Sequence, residues 1–312
     1  MINTTEKVKL FEQQIVFFQN YRQAFAKLEK AVECTRLRGI PTSAVLIGPS
    51  GAGKSTLSTI FQNSFPSPHI EHKHEGIYHV IPAFYCSVPA KVTIKSFCKA
   101  ILSGLHCNDT SGDTVDLELR IIELLKTCQT QIIIIDEFQI LAKRGNYNHL
   151  EGLKDWLLAL SNSINIPIII VGTEECAEII YREPQLARRF PFLVRLKYLE
   201  FNEKLDSEYI TTLRGLDEKL YEIGNLKPGI HLTDPSICTR LYVASQGNLE
   251  YLRQILSLAF SFCLNRNDKK IILADFHDAC ALIELELSLS PKQNPFSLDL
   301  AKCYSIIETH SQ

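Results

Sequence analysis

The amino-acid sequence predicts an α/β core built on a parallel β-sheet, followed by a smaller all-helical domain. Short apolar segments alternate with amphipathic helical segments between about residues 43 and 197, a pattern typical of parallel sheets. A glycine-rich loop joins the first of these apolar segments to a helix, and only helical patterns follow Leu199. The chain is therefore expected to contain an N-terminal helical segment, the α/β core, a helical lid domain and a C-terminal tail, at 1–38, 39–200, 201–287 and 288–312.

The composition is that of an ordinary globular protein, with 46% hydrophobic and 22% charged residues among 312. No apolar run reaches the roughly 20 residues that cross a bilayer, and the first residues lack the pattern of a secretory signal. We therefore expect a cytoplasmic protein without a membrane segment. The net charge of −2 gives no bulk attraction to nucleic acid, so any DNA contact requires a local basic surface.

Periodicity locates the elements of the predicted core. The segment from Thr5 to Arg38 has mostly helical spacing and predicts one or two helices that pack on the following domain. The predicted strands are Ser43–Gly48, Tyr78–Cys86, Gln131–Asp136, Pro167–Gly172 and Leu193–Lys197. The predicted helices of the core are Gly53–Phe65, Thr93–Leu105, Leu117–Cys128, Leu150–Ser161 and Glu174–Tyr181.

The lid domain is predicted from helical periodicity alone, because strand patterns stop before it. Its expected helices are Asn202–Ile223, Asp234–Gln246, Asn248–Asn265 and Ala274–Leu287. Residues 288–312 contain Pro291 and Pro295 and predict a loose tail. The segment around Asn294–Phe296 is either a short docking peptide for a partner or plain terminal disorder.

A phosphate-binding motif follows the first predicted strand, where the segment from Gly48 to Ser55 matches GxxxxGK[ST]. Its glycines allow backbone N–H groups to wrap phosphates, and the following helix N-terminus adds a positive dipole end. Lys54 supplies a cation for the β and γ phosphates, and the Ser55 hydroxyl is a ligand for Mg²⁺. A glycine-rich turn without a ligand is the alternative. We predict an ATP site formed by Gly48, Pro49, Ser50, Gly51, Ala52, Gly53, Lys54, Ser55 and Thr56.

Two acidic residues, Asp136 and Glu137, follow the run of four isoleucines in the third predicted strand. The carboxyl end of a strand is where ligands bind in open α/β sheets. We expect Asp136 to hold Mg²⁺ together with Ser55, and Glu137 to act as the general base toward the attacking water. The alternative is an exposed acidic turn. The pair favours an ATPase over most P-loop kinases, whose phosphoryl acceptor is a second substrate.

Three further residues are candidates for the catalytic site of an AAA+ ATPase. Thr173 follows the next predicted strand, so its hydroxyl could orient the water beside Glu137, or simply cap the following helix. Hydrolysis also needs a positive charge on the γ-phosphate, and AAA+ proteins take it from a neighbouring subunit. Arg189 is the first candidate for this arginine finger and Arg188 the second, with a solvated basic pair as the alternative.

Specific runs of the sequence resemble the TniB/TnsC-type AAA+ ATPases of DNA transposition, with IstB and ExeA-type proteins as more distant relatives. The resemblance spans about Thr42 to Cys280 and depends on the runs IIIIDEFQIL, LSNSINIPIIIVGTEE and REPQLARRF. It implies a homo-oligomer that assembles with ATP as rings or helical filaments on double-stranded DNA. It also implies a TniQ-like target selector and a transposase as partners, and disassembly when ATP is hydrolysed. The lid departs from the AAA+ pattern, since Glu250 and Tyr251 occupy the expected positions of the sensor-2 arginine.

The resemblance places DNA-facing residues after the second predicted strand. Lys95 and Lys99 lie one helical turn apart there, joined by Lys91 if that residue belongs to the helix. These lysines, with Thr110 or Ser111 in the next loop, are the candidate DNA contacts. The alternative is an ordinary solvated lysine face.

Three rival functions fit part of the sequence. The first is another AAA+ ATPase, either initiator-like or of the ExeA type, although an ExeA-type protein should carry a membrane span or a peptidoglycan-binding module. The second is a STAND-type signalling switch, but such proteins usually append long repeats. The third is a P-loop kinase, against which Glu137 and the arginine pair argue.

Overall fold

Seven β-strands lie in the α/β part of the computed structural model, which describes residues 3–73, 76–90, 93–142, 147–266 and 268–310. The strands are β1 (Ala44–Ile47), β2 (His69–Lys73), β3 (Gly76–Val80), β4 (Ala83–Ser87), β5 (Ile132–Asp136), β6 (Ile168–Gly172) and β7 (Phe192–Arg195). Five of them form one parallel sheet in the order β4-β5-β6-β1-β7. β2 and β3 form a separate antiparallel hairpin.

The central strands are buried along their whole length, because helices cover both faces of a parallel sheet. Every residue of β1, β5 and β6 is buried, which explains their nearly unbroken runs of Ile, Val and Leu. The strand register places Ile47 opposite Gly172 and Ser87 opposite Asp136. The carboxyl ends of β1, β5 and β6 therefore meet at one edge of the sheet, with β6 between the other two.

One predicted strand was wrong. The expected strand Tyr78–Cys86 is two strands, β3 and β4, and β2 precedes them where no strand was expected. Pro82 separates β3 from β4, and proline lacks the N–H that a continuous strand would need. The chain therefore leaves the hairpin at this point and enters the parallel sheet.

Contacts divide the chain into two compact units. The α/β unit comprises residues 23–196, and the helical unit comprises the residues up to Arg22 together with those from Lys197 onward. The first predicted segment is therefore divided between the two units. It contains α1 (Thr4–Glu12), which lies in the helical unit, and α2 (Gln19–Arg38), which crosses the division. The remaining helices of the α/β unit are α3 (Lys54–Asn63), α4 (Ile94–Gly104), α5 (Thr114–Thr127), α6 (Gln139–Ala142), α7 (Tyr147–Ser163), α8 (Glu174–Tyr181) and α9 (Pro184–Arg189).

The helical unit packs α1 against the helices of the lid. Its further elements are α10 (Glu208–Gly224), α11 (Pro235–Ser245), α12 (Leu249–Asn265), α13 (Leu273–Leu282), the 3-10 helix η1 (Pro295–Ser297) and α14 (Leu300–His310). Phe11 of α1 is buried with its ring centroid 5.5 Å from that of Phe260 on α12. Arg253 donates hydrogen bonds to the carbonyls of Phe11, Glu12 and Gln14 at the end of α1. The last carbonyls of a helix lack the full set of intrahelical donors, so Arg253 acts as a cap that ties the N-terminal segment to the lid.

The expected loose tail after residue 287 is wrong, because most of this segment is folded. Cys303 and Ile307 of α14 are buried in a small cluster with Val243 and Leu298. Phe296, at the centre of the expected docking peptide, is only 5% exposed and stacks on Phe276 at 5.5 Å between ring centroids. Apolar residues spaced along the segment supply this packing, and Pro295 is buried with them at the start of η1. Within the described part of the chain, no helix combines the length and apolar character of a membrane span.

The close approach of Gly247 to Leu199 can be tested by substitution. Its φ of +72° is left-handed, and an added Cβ would lie 1.9 Å from the Leu199 carbonyl oxygen. Gly39 has a similar φ of +64° but nothing within 4 Å of an added Cβ. We expect Gly39→Ala to cost about 1–2 kcal/mol of stability for the backbone conformation alone. Gly247→Ala should cost roughly 2–5 kcal/mol, because overpacking adds about 1–3 kcal/mol. Denaturant unfolding followed by circular dichroism measures both, and equal losses would contradict the predicted clash.

Candidate active site

The loop between β1 and α3 is shaped by glycines that the geometry requires. Gly51 and Gly53 have φ of +75° and +89°, in the left-handed region that other residues rarely adopt. A Cβ on Gly48 would lie 2.6 Å from the Leu196 carbonyl oxygen. Since the N-cap of α3 is Gly53, the cap has no side chain that could bond the first N–H groups of this helix, and a helix start of this kind suits an anion.

Lys54 lies at the start of α3 with only 8% of its surface exposed. Its Nζ donates hydrogen bonds to the carbonyls of Gly48 and Pro49, both at 2.9 Å. Burial lowers the pKa of Lys54, and the nearby carboxylates of Glu137 and Asp136 act in the opposite direction. The ammonium group is thus held inside the curve of the loop, where it can bind phosphate oxygens. Ser50, Ala52 and Thr56 complete the predicted segment, with Thr56 exposed on the first turn of α3.

Asp136 is the most heavily bonded carboxylate of this edge. It is 2% exposed, and its Oδ2 accepts hydrogen bonds from the Ser55 hydroxyl at 2.8 Å and the Tyr85 hydroxyl at 2.7 Å. Its Oδ1 accepts one from the Glu137 N–H at 2.8 Å. The structure therefore brings together both residues expected to hold Mg²⁺, and their hard oxygen donors suit this ion.

Tyr85 was missed from the sequence. It lies on β4, the neighbour of β5 in the sheet, and burial together with its bond to Asp136 raises its pKa. The hydroxyl therefore remains a donor to the carboxylate. The available signal in the sequence was the alternation of side-chain direction along β4. It identifies Tyr85 as a neighbour of Asp136 only when the strand order and register are known.

Glu137 has a backbone φ of +58°, which is uncommon for any residue other than glycine and is frequent at functional sites. The bond from its N–H to Asp136 stabilises this conformation. Its side chain is half-buried, and its Oε2 accepts a hydrogen bond from Gln139 Nε2 at 2.7 Å. Glu137 therefore stands at the edge of the sheet beside Asp136 with a fixed carboxylate.

Thr173 follows β6 and so lies between the acidic pair and the glycine-rich loop. It occupies the N-cap position of α8, but its side chain makes no capping hydrogen bond. Its hydroxyl oxygen is buried and has no hydrogen-bond partner among the described residues. Buried hydroxyls are normally bonded, so this one is placed to bind a water or a phosphate oxygen.

Arg188 and Arg189 lie away from Glu137. The Arg189 carbonyl accepts a hydrogen bond from the N–H of Ser43, the residue before β1, at 2.8 Å. The glycine-rich loop follows the other end of this four-residue strand, roughly 13 Å further along at about 3.3 Å per residue. The Arg189 side chain donates to Asn162 Oδ1 at 2.7 Å. The two arginines line a cavity of about 410 Å³. Arg38 lines the same cavity, although it was not among the residues predicted from the sequence.

The candidate DNA contacts lie on and after α4. Lys95 is exposed and Lys99 half-buried on that helix, which begins at Ile94, and Thr110 is half-buried in the loop that follows. Lys91 lies outside the described residues. The pKa of Asp113 is lowered by backbone N–H groups, mainly that of Asp116, and also by the charge of Lys95. Lys95 therefore has an acidic neighbour, which the sequence did not indicate.

Comparisons with known proteins bear on the family and the fold of the chain. A family model described as "Bacterial TniB protein" matches residues 8–198. A comparison with curated proteins finds no match.

Several solved structures share the fold at low identity. The ORC1 protein of Aeropyrum pernix in complex with DNA has a TM-score of 0.55 and 18% identity, covering 83% of this chain and 65% of that one. The ORC2 protein of the same organism, in ADPNP–ADP complexes, has a TM-score of 0.62 and 13% identity, covering 88% and 71%. Cdc6p from Pyrobaculum aerophilum has a TM-score of 0.56 and 13% identity, covering 87% and 69%. This likeness confirms the predicted fold, an AAA+ core with a parallel sheet followed by a helical portion.

The geometry of the loop predicts the effect of removing its cation. Lys54→Ala should weaken binding of a fluorescent ATP analogue by about two orders of magnitude, because charge-assisted hydrogen bonds to phosphate are lost. Lys126→Ala is the matched control, since this lysine is exposed on α5 of the same unit and should leave the affinity unchanged. Parental affinity in Lys54→Ala would show that the phosphate site is elsewhere.

Proposed function

The chain belongs to the TniB family, and from this membership we propose that it is an ATP-dependent, DNA-binding regulator of DNA transposition. The observation that carries the ATPase part is the cluster at the sheet edge, where Lys54 lies in the glycine-rich loop and Asp136 is bonded to Ser55. The family model supports the transposition part. The fold likeness to initiator proteins supports an AAA+ ATPase without favouring initiation.

The proposed reaction is hydrolysis of ATP with the triphosphate in the loop. Lys54 and the N–H groups at the start of α3 bind the phosphates, and Ser55 and Asp136 hold Mg²⁺. When bound, this ion neutralises negative charge that develops on the phosphate oxygens. Glu137 accepts the proton of the attacking water. The buried Thr173 hydroxyl orients the water or the γ-phosphate.

The position of the arginines supports hydrolysis between subunits. Arg189 is attached through its carbonyl to the start of β1, whereas Glu137 follows the carboxyl end of β5. Arg189, or Arg188 beside it, therefore serves as the finger for the ATP of a neighbouring copy. Such a head-to-tail contact is heterologous and generates rings or helical filaments.

DNA and protein partners complete the proposal. The oligomer binds double-stranded DNA through Lys95, Lys99 and Thr110 of each subunit, so that many weak phosphate contacts add up. It joins a TniQ-like target selector to the transposase, and ATP hydrolysis disassembles it. The location is the cytoplasm, where the DNA of a bacterial cell is.

Hydrolysis between subunits predicts complementation. Arg189→Ala and Lys54→Ala should each lose about 10³-fold or more in turnover when alone. In an equal mixture, about a quarter of the head-to-tail interfaces combine an intact loop with an intact finger, so about a quarter of parental activity should return. Arg182→Ala, at an exposed position that is salt-bridged to Glu178, is the control and should remain active alone. A mixture as inactive as its components would contradict a finger supplied by a neighbour.

The DNA proposal predicts a salt-dependent defect. Lys95→Ala/Lys99→Ala should bind ATP normally but form few filaments on duplex DNA with a non-hydrolysable ATP analogue, as seen by electron microscopy. The slope of log affinity against log salt should fall by about 1.8 per subunit for two lost phosphate contacts. Lys27→Ala/Lys126→Ala removes the same charge from exposed positions on other helices and should behave like the parent. Parental filaments and salt slope in the first variant would exclude α4 from the DNA interface.

A further inference from the structure

Gln139 is a buried polar residue to which the proposed reaction gives no role. It is the first residue of α6, two positions after Glu137, and it is 5% exposed. An apolar residue would fill such a place without the cost of burying an amide. The contacts of the amide therefore have to explain its presence.

The two ends of the Gln139 amide bind two different site residues. Its Nε2 donates to Glu137 Oε2 at 2.7 Å, and its Oε1 accepts from the Thr173 N–H at 3.3 Å and from the Cys176 thiol at 3.7 Å. Only this orientation of the amide is favourable, since the flipped one would place the oxygen against a carboxylate and the NH₂ group against an N–H. Gln139 thus links the expected general base to the expected water-orienting residue.

The surrounding packing holds the amide in place. A Cβ on Gly172 would lie 2.1 Å from Gln139 Oε1 and 2.5 Å from Cys176 Sγ, so glycine at the end of β6 makes room for this contact. Burial raises the pKa of Cys176 to about 12, and its thiol remains a neutral donor. The amide is therefore enclosed by β6, the start of α8 and the acidic pair.

We propose that Gln139 is a positioning residue for Glu137, holding one carboxylate oxygen so that the other accepts the hydrogen bond of the attacking water. This inference rests on the proposed ATPase function. The backbone of Glu137 is already fixed by its bond to Asp136, and the bond from Gln139 fixes the side-chain torsions that remain. Through the Thr173 N–H, the same amide sets the distance between the base and the hydroxyl beside it.

The first test separates binding from chemistry. Gln139→Met keeps the length of the side chain and removes both hydrogen bonds. We expect kcat for ATP to fall about 10–100-fold, as for other residues that orient a catalytic group, with unchanged affinity for an ATP analogue. Gln62→Met is the matched control, because this glutamine donates to the Ala83 carbonyl at 3.2 Å in the same unit, and its kcat should equal that of the parent. Parental kcat in Gln139→Met would overturn the proposal.

A second variant guards against misfolding. Gln139→Leu also removes the donor to Glu137 and places no charge beside that carboxylate. It should lose about as much kcat as Gln139→Met while its thermal unfolding stays within a few degrees of that of the parent. A folded Gln139→Leu with parental kcat would also overturn the proposal.

A double-mutant cycle with Glu137→Asp shows whether Gln139 acts through the base. The shorter carboxylate cannot accept the same hydrogen bond, so Gln139→Met should slow this variant much less than it slows the parent. Equal fold-losses in the two backgrounds would mean an independent role and overturn the proposal. Glu137→Gln separates the two levels of inference. If it turns over ATP normally, the base is misassigned and both inferences fail, whereas an inactive Glu137→Gln with a fully active Gln139→Met defeats only the role of Gln139.

Discussion

The buried carboxylate of Asp136 is the group around which the site is arranged. Removing an ionised carboxylate from water is costly unless it is hydrogen-bonded, and here three donors compensate for the burial. They come from three places: Ser55 on α3, Tyr85 on β4 and the N–H of Glu137. Satisfying one carboxylate therefore fixes α3, β4 and Glu137, the proposed general base, relative to one another.

The order of the strands extends this arrangement to the rest of the edge. Because β6 lies between β5 and β1, the residue that follows it stands between the acidic pair and the glycine-rich loop. Thr173 is that residue, and its hydroxyl, which has no partner among the residues that the structure describes, contrasts with the three hydrogen bonds of Asp136. Gln139 spans the remaining gap by binding Glu137 and the Thr173 N–H. Together these contacts form one network around the acidic pair.

The opposite edge of the sheet carries the two arginines of the proposed finger. α9 ends where β7 begins, so Arg188 and Arg189 stand near the amino ends of the strands. A parallel sheet separates its two edges by the full length of the strands, and side chains at one edge cannot serve a site at the other. The proposed oligomer resolves this separation, since head-to-tail contact brings the arginine edge of one copy to the nucleotide edge of the next.

The sequence by itself determined the local features. The glycine-rich loop, the buried isoleucine strands and the Asp136–Glu137 pair depend on residues adjacent in the chain, and helical periodicity located most helices to within a few residues. Tertiary structure decided what depends on distant pairing. The β2–β3 hairpin, the burial of Phe296 and the contacts of Tyr85 and Gln139 each require knowing which segments meet, and that is set by strand order, register and packing across the whole unit. A local pattern predicts which helix or strand a segment can form, whereas the fold determines which other segments it contacts.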